Sequence, residues 1–600
     1  MPDSQRLESL LVADIGSLTT KVGLVDRVGS DFRFISSGTS ATTAEPPATD
    51  VLVGLRHAIE LVEARTGRRF LADDGQLITP ERGAGQGVDA FVATTSAPSP
   101  LRVAIVGVSR EVSLASAVRA IHGTYATLET TLALDQTGGR WLPAMPLTSD
   151  NGSDAPRKTL ALPQDPAVIA AETLAQANPD AIVIVGGIDG GATTPVYEIA
   201  NLVASIVGAR DENGRPTILF AGNRDARSQV AARIGNVAPF RAVDNIRPSL
   251  EHENLAPLEH ELEALYIERK IAWLPGMNAL TAWTPAPPMP TARAFENVVR
   301  FIARRFNLNV LGADLGGAST TIVSSRGGRF SRIVRADLGL GQNLENVIAL
   351  AGIDRLMRWL PIEIDQEAAQ LHWLNHTLHP AEIPVTREDA RLMHAAARAA
   401  LATASCEGEV DANGLDLILL TGGAFSHNAN PGALALLALD ALQPTGVFTL
   451  AIDALGLAPA FGALASINAT AAASTLERDG FVTLGTVIAP ISKSREGQID
   501  LRVQVHSEST GTMNLEVQHG SLELVPLPAG QKASIQIRPS GGVDLGNRHR
   551  GVFKAQVEGG ALGLIIDARG RPIALPASAE KRRAQVQKWY WDIGGEANYD

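Results

Sequence analysis

The sequence predicts an α/β protein whose central fold is duplicated, interrupted by an inserted α/β module and followed by an all-β domain. Three observations carry this. The segments Asp14-Ile15-Gly16-Ser17-Leu18-Thr19-Thr20 and Asp314-Leu315-Gly316-Gly317-Ala318-Ser319-Thr320 stand 300 positions apart, spell nearly the same phrase, and are each set between two apolar runs. Elsewhere, apolar strand-like runs that end in glycine alternate with helical stretches, the pattern of layered α/β folds. From about residue 482 the pattern becomes period two, as in Ile499-Asp500-Leu501-Arg502-Val503-Gln504-Val505, with Gly and Pro between the segments.

Each repeated phrase reads as strand, tight acidic turn, strand. A carboxylate at a strand end can hold Mg²⁺ directly or through its water, and small residues after it let backbone N–H groups approach phosphate oxygens. Ser17, Thr19, Thr20, Ser319 and Thr320 add hydroxyl donors. A lone Asp-x-Gly turn is often only a hairpin; the repetition points to one ligand gripped from two sides. A third element, Thr421-Gly422-Gly423, ends the apolar run Leu417-Ile418-Leu419-Leu420. Paired glycines leave a flat shelf on which a ribose or a base can lie, although a plain strand-to-helix turn has the same spelling.

Along the chain, residues 1–135 read as a first half. It holds the acidic hairpin, a strand at Phe32-Arg33-Phe34-Ile35, a helix near 50–65, a strand at 102–108 and a helix at about 112–121. Residues 136–165 are rich in Gly, Pro and Asp without periodicity and read as a linker or surface loop that opens an inserted module, 136–293. In the module the run Ala181-Ile182-Val183-Ile184-Val185 feeds Gly186-Gly187-Ile188-Asp189-Gly190-Gly191 and then a helix over 196–207. Glycines around an acid at a strand's carboxyl end suit an anion-binding crevice, or simply make tight turns. Residues 294–480 form the second half, with a small-residue helix at 455–465, and 481–600 a β-sandwich or barrel with a structural or docking role.

Composition narrows the function. The net charge of −12 argues against a nucleic-acid partner, which needs clustered Lys and Arg. No apolar run is long enough to span a membrane, and the first residues lack the form of a secretion signal, so a cytoplasmic protein is expected. Cys406 is the only cysteine, which excludes an intrachain disulfide and a cysteine-rich metal site. His372, His376 and His379 lack the carboxylate spacing of a zinc motif.

The two facing turns and the glycine shelf resemble the phosphate and adenosine loops of actin-like ATPases and sugar kinases. Within that superfamily, Asp14-Ile15-Gly16-Ser17 with Thr20-Lys21, the Gly186 to Gly191 element, Ala221-Gly222-Asn223, Asp314-Leu315-Gly316-Gly317-Ala318 and Thr421-Gly422-Gly423 resemble the glutamate mutase L (MutL) family in its order. The resemblance implies a nucleotide-binding accessory protein, a chaperone-like reactivating factor for an adenosylcobalamin-dependent mutase, with ATP and Mg as ligands. In this reading Asp14 and Asp314 are the catalytic and metal-ordering pair. Backbone amides around Gly16, Ser17, Thr19 and Thr20 and around Gly316, Gly317, Ser319 and Thr320 hold phosphates, and Gly422 and Gly423 receive the adenosine. Gly186, Gly187, Asp189, Gly190 and Gly191 are further candidate binding residues. Lys21 either neutralises phosphate charge or points to solvent. Two positions depart from the family: Leu18 replaces a hydroxyl residue, and Thr321 stands where the second turn usually ends in Asp. Nucleotide binding is therefore better supported than hydrolysis. The alternatives are a small-molecule kinase of the same superfamily, with Asp189 or Asp337 as candidate general base, and a non-catalytic actin-like assembly scaffold.

Overall fold

The structure, a computed structural model, describes residues 7–83, 85–134, 141–143, 166–426, 430–509, 511–546 and 551–595. The chain divides into two units: residues 1–98, 274–333 and 337–600 form the first, and 99–273 with 334–336 the second.

The first unit contains the duplication. Strand Ser9–Ile15 turns back antiparallel as Thr19–Val28 and again as Asp31–Ala41, and helix Val51–Thr66 returns the chain to strand Ala90–Thr95, parallel to the first. The helix starts where Asp50 accepts from the Leu52 amide and stops at Gly67, whose φ of 68° suits a residue without Cβ. In the second copy Val310–Leu315, Thr320–Arg326 and Arg329–Arg335 form the same three-strand meander, and Leu417–Thr421 lies parallel to its first strand. The registers agree position for position. Asp14 lies opposite Lys21 on one side and Thr94 on the other, and Asp314 lies opposite Thr321 and Thr421. One buried cluster takes Leu10, Val12 and Val25 from the first copy, Val310, Val323 and Leu419 from the second, and Phe295, Val298, Ala460 and Phe461 from two helices, Thr291–Phe306 and Ala458–Leu464. That shared core joins the two copies, and with them the turns at their strand ends.

The partition read from the sequence needs two corrections. Strand Leu101–Gly107, placed there in the first half, pairs parallel with Ala126–Leu134 and Ala181–Val185 inside the second unit's six-stranded sheet, so the module begins at 99 and not 136, and ends at 273 and not 293. Its apolar run is buried on both faces and chooses its partners by tertiary pairing, which local pattern does not reveal. Of residues 136–165, only Trp141–Pro143 lies within the described residues, as an edge strand.

The C-terminal extension is strand-rich but does not form an isolated sheet pair. Val482–Ala489 pairs antiparallel with Gly446–Ile452, and Gly563–Asp567 and Leu522–Val525 follow, so three of its strands extend the second copy's sheet to eight. A separate four-stranded sheet (Ile499–Ser507, Gly511–Gln518, Lys532–Pro539, Phe553–Glu558) packs on it through Val503, Val505, Ile537, Ile488 and Leu564. The extension is also not all β. Helix Ala579–Asp592 buries Val586, Trp589 and Tyr590 in the second copy's core.

Candidate functional site

The two acidic turns meet. A Cβ added at Gly317 would stand 2.4 Å from Leu18 Cδ1 and 3.1 Å from Ser17 Oγ, so the second turn's bare backbone lies directly against the first turn's side chains. Each turn closes on itself: the Gly16 amide donates to the Thr19 carbonyl at 3.0 Å and the Gly316 amide to the Ser319 carbonyl at 2.9 Å. Among the described residues no hydrogen bond uses the amides of Ser17, Leu18, Gly317 or Ala318. Thr20 and Thr320 are buried and commit their hydroxyls inside the fold, to Thr42 Oγ1 at 2.9 Å and to the Leu338 carbonyl at 2.7 Å. The donors left to meet a ligand at these turns are therefore the four backbone amides and the hydroxyls of Ser17, Thr19 and Ser319, which make no hydrogen bond among the described residues.

Asp14 Oδ1 accepts from Thr94 Oγ1 at 2.7 Å and from Thr291 Oγ1 at 3.0 Å, while Oδ2 accepts no hydrogen bond among the described residues. Burial raises the Asp14 pKa despite these bonds and the nearby Lys21 ammonium. Asp314 receives no hydrogen bond among the described residues, and burial together with the Asp14 charge pushes its pKa up to about 7. A third acid, Asp453, follows strand Gly446–Ile452. It accepts from Thr421 Oγ1 at 2.8 Å and from the Gly456 and Ala458 amides at 2.9 and 2.7 Å, and burial still raises its pKa. The three carboxylates share the ammonium of Lys21, which favours the ionised form of each.

Lys21 does not point to solvent. It is 7% exposed and donates to Ser426 Oγ at 3.1 Å, and a Cβ on Gly456 would stand 2.2 Å from its Nζ. Ser426 closes the short helix Gly423–Ser426 that opens from the glycine shelf. At Gly422, φ is 96° and a Cβ would stand 2.4 Å from the Leu315 carbonyl oxygen and 2.5 Å from Asp314 Oδ1, so only glycine fits. The structure thus brings Asp14, Lys21, Asp314, Gly422 and Gly423 together with both turns.

The cluster suits a divalent cation. Three carboxylates, Asp453 fully buried and Asp14 and Asp314 half-buried, face one ammonium, and among the described residues Asp314 has no hydrogen-bond donor. Among the described residues no group of three or more His, Cys, Asp or Glu side chains is placed to hold a metal unaided. A cation here would therefore complete its shell with water and ligand oxygens, as Mg²⁺ does at phosphate sites.

Gly186, Gly187, Asp189, Gly190 and Gly191 lie in the second unit at the carboxyl end of Ala181–Val185. Asp189 Oδ1 accepts from the Arg224 amide and from Asn245 Nδ2, each at 2.9 Å. The Gly190 amide donates to Asp225 Oδ2 at 2.9 Å and Asn223 Nδ2 to the Gly191 carbonyl at 3.0 Å. This acid ties its loop to the segments at Arg224 and Asn245 of the same unit. The sequence does not single out Thr94, Thr291, Ser426 or Asp453. Only Asp453 carried a signal, an apolar strand ending in an acid with a glycine three residues on.

Two copies of a three-strand meander with a parallel fourth strand, joined so that their carboxylate-tipped turns face each other, define the duplicated actin-like fold. The sequence profile of the family described as MutL protein matches residues 10–479, and the chain belongs to that family. The chain is similar to acetone carboxylase in a nucleotide-free structure, at 13% identity over 86% of this chain and 81% of that one, with a TM-score of 0.33. It is similar to the ethanolamine utilization protein EutJ from Carboxydothermus hydrogenoformans (9% identity, 77% and 90% covered, TM-score 0.28) and to a glycerol dehydratase reactivase (12% identity, 77% and 100% covered, TM-score 0.28). No protein of the curated set matches the sequence. Among the described residues no helix is long and apolar enough to cross a membrane.

Proposed function

We propose that the first unit binds Mg-ATP between its two acidic turns and that the protein serves as an accessory, reactivating partner of an adenosylcobalamin-dependent mutase. The observation that carries nucleotide binding is the contact of the two turns at Leu18 and Gly317, with four adjoining amides that make no hydrogen bond among the described residues and the carboxylates of Asp14 and Asp314 beside them. Membership of the MutL protein family supports the accessory role.

In this reading the amides of Ser17, Leu18, Gly317 and Ala318 donate to phosphate oxygens. Lys21, held by Ser426, faces the phosphate charge, and the backbone at Gly422 and Gly423 lies along the adenosine. Asp14 and Asp314 order the metal's water shell; Mg²⁺ would neutralise the carboxylates and the polyphosphate together. Position 321 offers a hydroxyl where a second carboxylate could stand opposite Asp314, which suits a protein that holds nucleotide longer than it turns it over. Titration of labelled ATP with Mg²⁺ into wild type and Asp14→Ala tests this. Saturable binding that the substitution removes is the expected result, and equal absence of binding in both overturns it. Copurification with a cobalamin-dependent mutase, strengthened or released by ATP, tests the partner.

A further inference from the structure

Two of the site's acids are each tied to one of two helices that cross in the shared core. Asp14 is tied through Thr291, the first residue of helix Thr291–Phe306. Asp453 is tied through the amide of Ala458, the first residue of helix Ala458–Leu464. The helices cross at close range: a Cβ on Gly462 would stand 2.0 Å from the Ala294 carbonyl oxygen, and Asn297 Nδ2 donates to the Gly462 carbonyl at 3.4 Å.

We propose that Thr291 is a positioning residue that carries the ligand state of Asp14 to this helix crossing, an inference that rests on the nucleotide reading above. Thr94 also holds Asp14, but it stands on strand Ala90–Thr95, the sheet neighbour of Asp14's own strand, and so anchors the carboxylate within one sheet. Thr291 is the donor whose helix leaves the sheet. Both hydroxyls donate to Oδ1, so a ligand that draws the carboxylate toward itself through Oδ2 pulls on both bonds, and only the Thr291 bond moves a helix. At the far end of that pull the helices meet with no side chain between Gly462 and the Ala294 backbone. A contact that tight shifts between discrete packings instead of deforming smoothly.

Hydrogen exchange of the full chain, with and without Mg-ATP, tests this. In wild type, nucleotide is expected to change protection in 291–306 and 458–464. Thr291→Val keeps the shape and removes the donor; it should weaken Mg-ATP binding by about tenfold at most, the loss of one hydrogen bond, while reducing the protection change in both helices by about half or more. Thr291→Ser, which keeps the hydroxyl, should restore the change. A full wild-type response in saturated Thr291→Val, or an equal loss in the valine and serine variants, overturns the proposal alone. No nucleotide binding by wild type overturns the preceding reading and this inference with it.

Discussion

Leu18 reaches across from the first acidic turn and lies against Gly317 of the second, at a distance where a Gly317 Cβ would overlap its Cδ1 at 2.4 Å. Leu18 Cδ1 would also meet a Cβ on Gly341 at 3.0 Å, so the leucine sits on a glycine-lined surface of the other copy. The separation of the turns is therefore set by one flexible side chain against bare backbone.

Gly317→Ala should push the turns apart without unfolding the protein, because the atom it meets is the movable end of a leucine. Mg-ATP affinity is expected to fall about tenfold by calorimetric titration, with an unchanged circular dichroism spectrum. Leu18→Ala in the same chain removes the collision, and the double variant should recover most of the lost affinity. Additive losses would show that the contact does not set the spacing.

The pH dependence of stability should report Asp314. Its folded-state pKa of about 7 lies above the ordinary 3.8, so between those values the folded chain holds a proton that the unfolded chain has released. Stability from this group is present below about pH 4, falls as pH rises, and is lost above about pH 7. Asp314→Asn cannot ionise; its denaturation midpoint should exceed that of wild type at pH 8 and depend less on pH between 5 and 8. Asp14 and Asp453 are shifted in the same direction, so part of the wild-type slope should survive. An unchanged slope would show that Asp314 is not held in this environment.

Much of this site is legible in the sequence because the duplication is local. Asp14, Gly16, Asp314 and Gly316 declare themselves within seven-residue phrases, and the glycines at 422 and 423 end an apolar run. Thr94, Thr291 and Ser426 are not legible, because each acquires its role from pairing across many residues: Thr94 meets Asp14 by parallel register, and Thr291 meets it by starting a helix next to that strand. Strand Leu101–Gly107 joins the second unit by the same kind of long-range pairing, in parallel with Ala181–Val185. The terminal helix left a trace in Val586, Trp589 and Tyr590, apolar at helical spacing in an otherwise polar stretch.

Lys21 is the cation that Asp14, Asp314 and the buried Asp453 share, so its removal should harm both stability and binding. Lys21→Met is expected to cost about 1–3 kcal/mol in chemical denaturation at pH 8, where the acids are most ionised, and less at pH 5, where protons replace the missing charge. Lys21→Arg should not rescue it, because Gly456 packs at the ammonium and leaves no room for a guanidinium. A loss of stability equal at both pH values would show that the ammonium does not compensate these acids.

The extension and the second copy should unfold together. Arg569 is fully buried and bridges them: it donates to Asp567 beside it, through Nε at 2.8 Å, and to Asp440 on helix Pro431–Leu442 through Nη1 at 2.7 Å. Arg571 also donates to Asp567, at 2.7 Å, and the two guanidiniums hold the Asp567 pKa well below the usual range. Because that pKa is depressed, the stability Asp567 contributes is present at neutral pH and is lost only as pH falls below the ordinary carboxylate value. Arg569→Met takes one of two guanidiniums from each of two buried carboxylates, leaving Asp567 with Arg571 and Asp440 with Arg398 at 2.9 Å, and should cost about 1.5–3 kcal/mol, read as a lower midpoint of one cooperative transition. If the extension were an independent domain, the variant would instead split the transition and leave the midpoint of the second copy where it was. The shared eight-stranded sheet and the burial of Trp589 and Tyr590 in the second copy's core argue for the single transition.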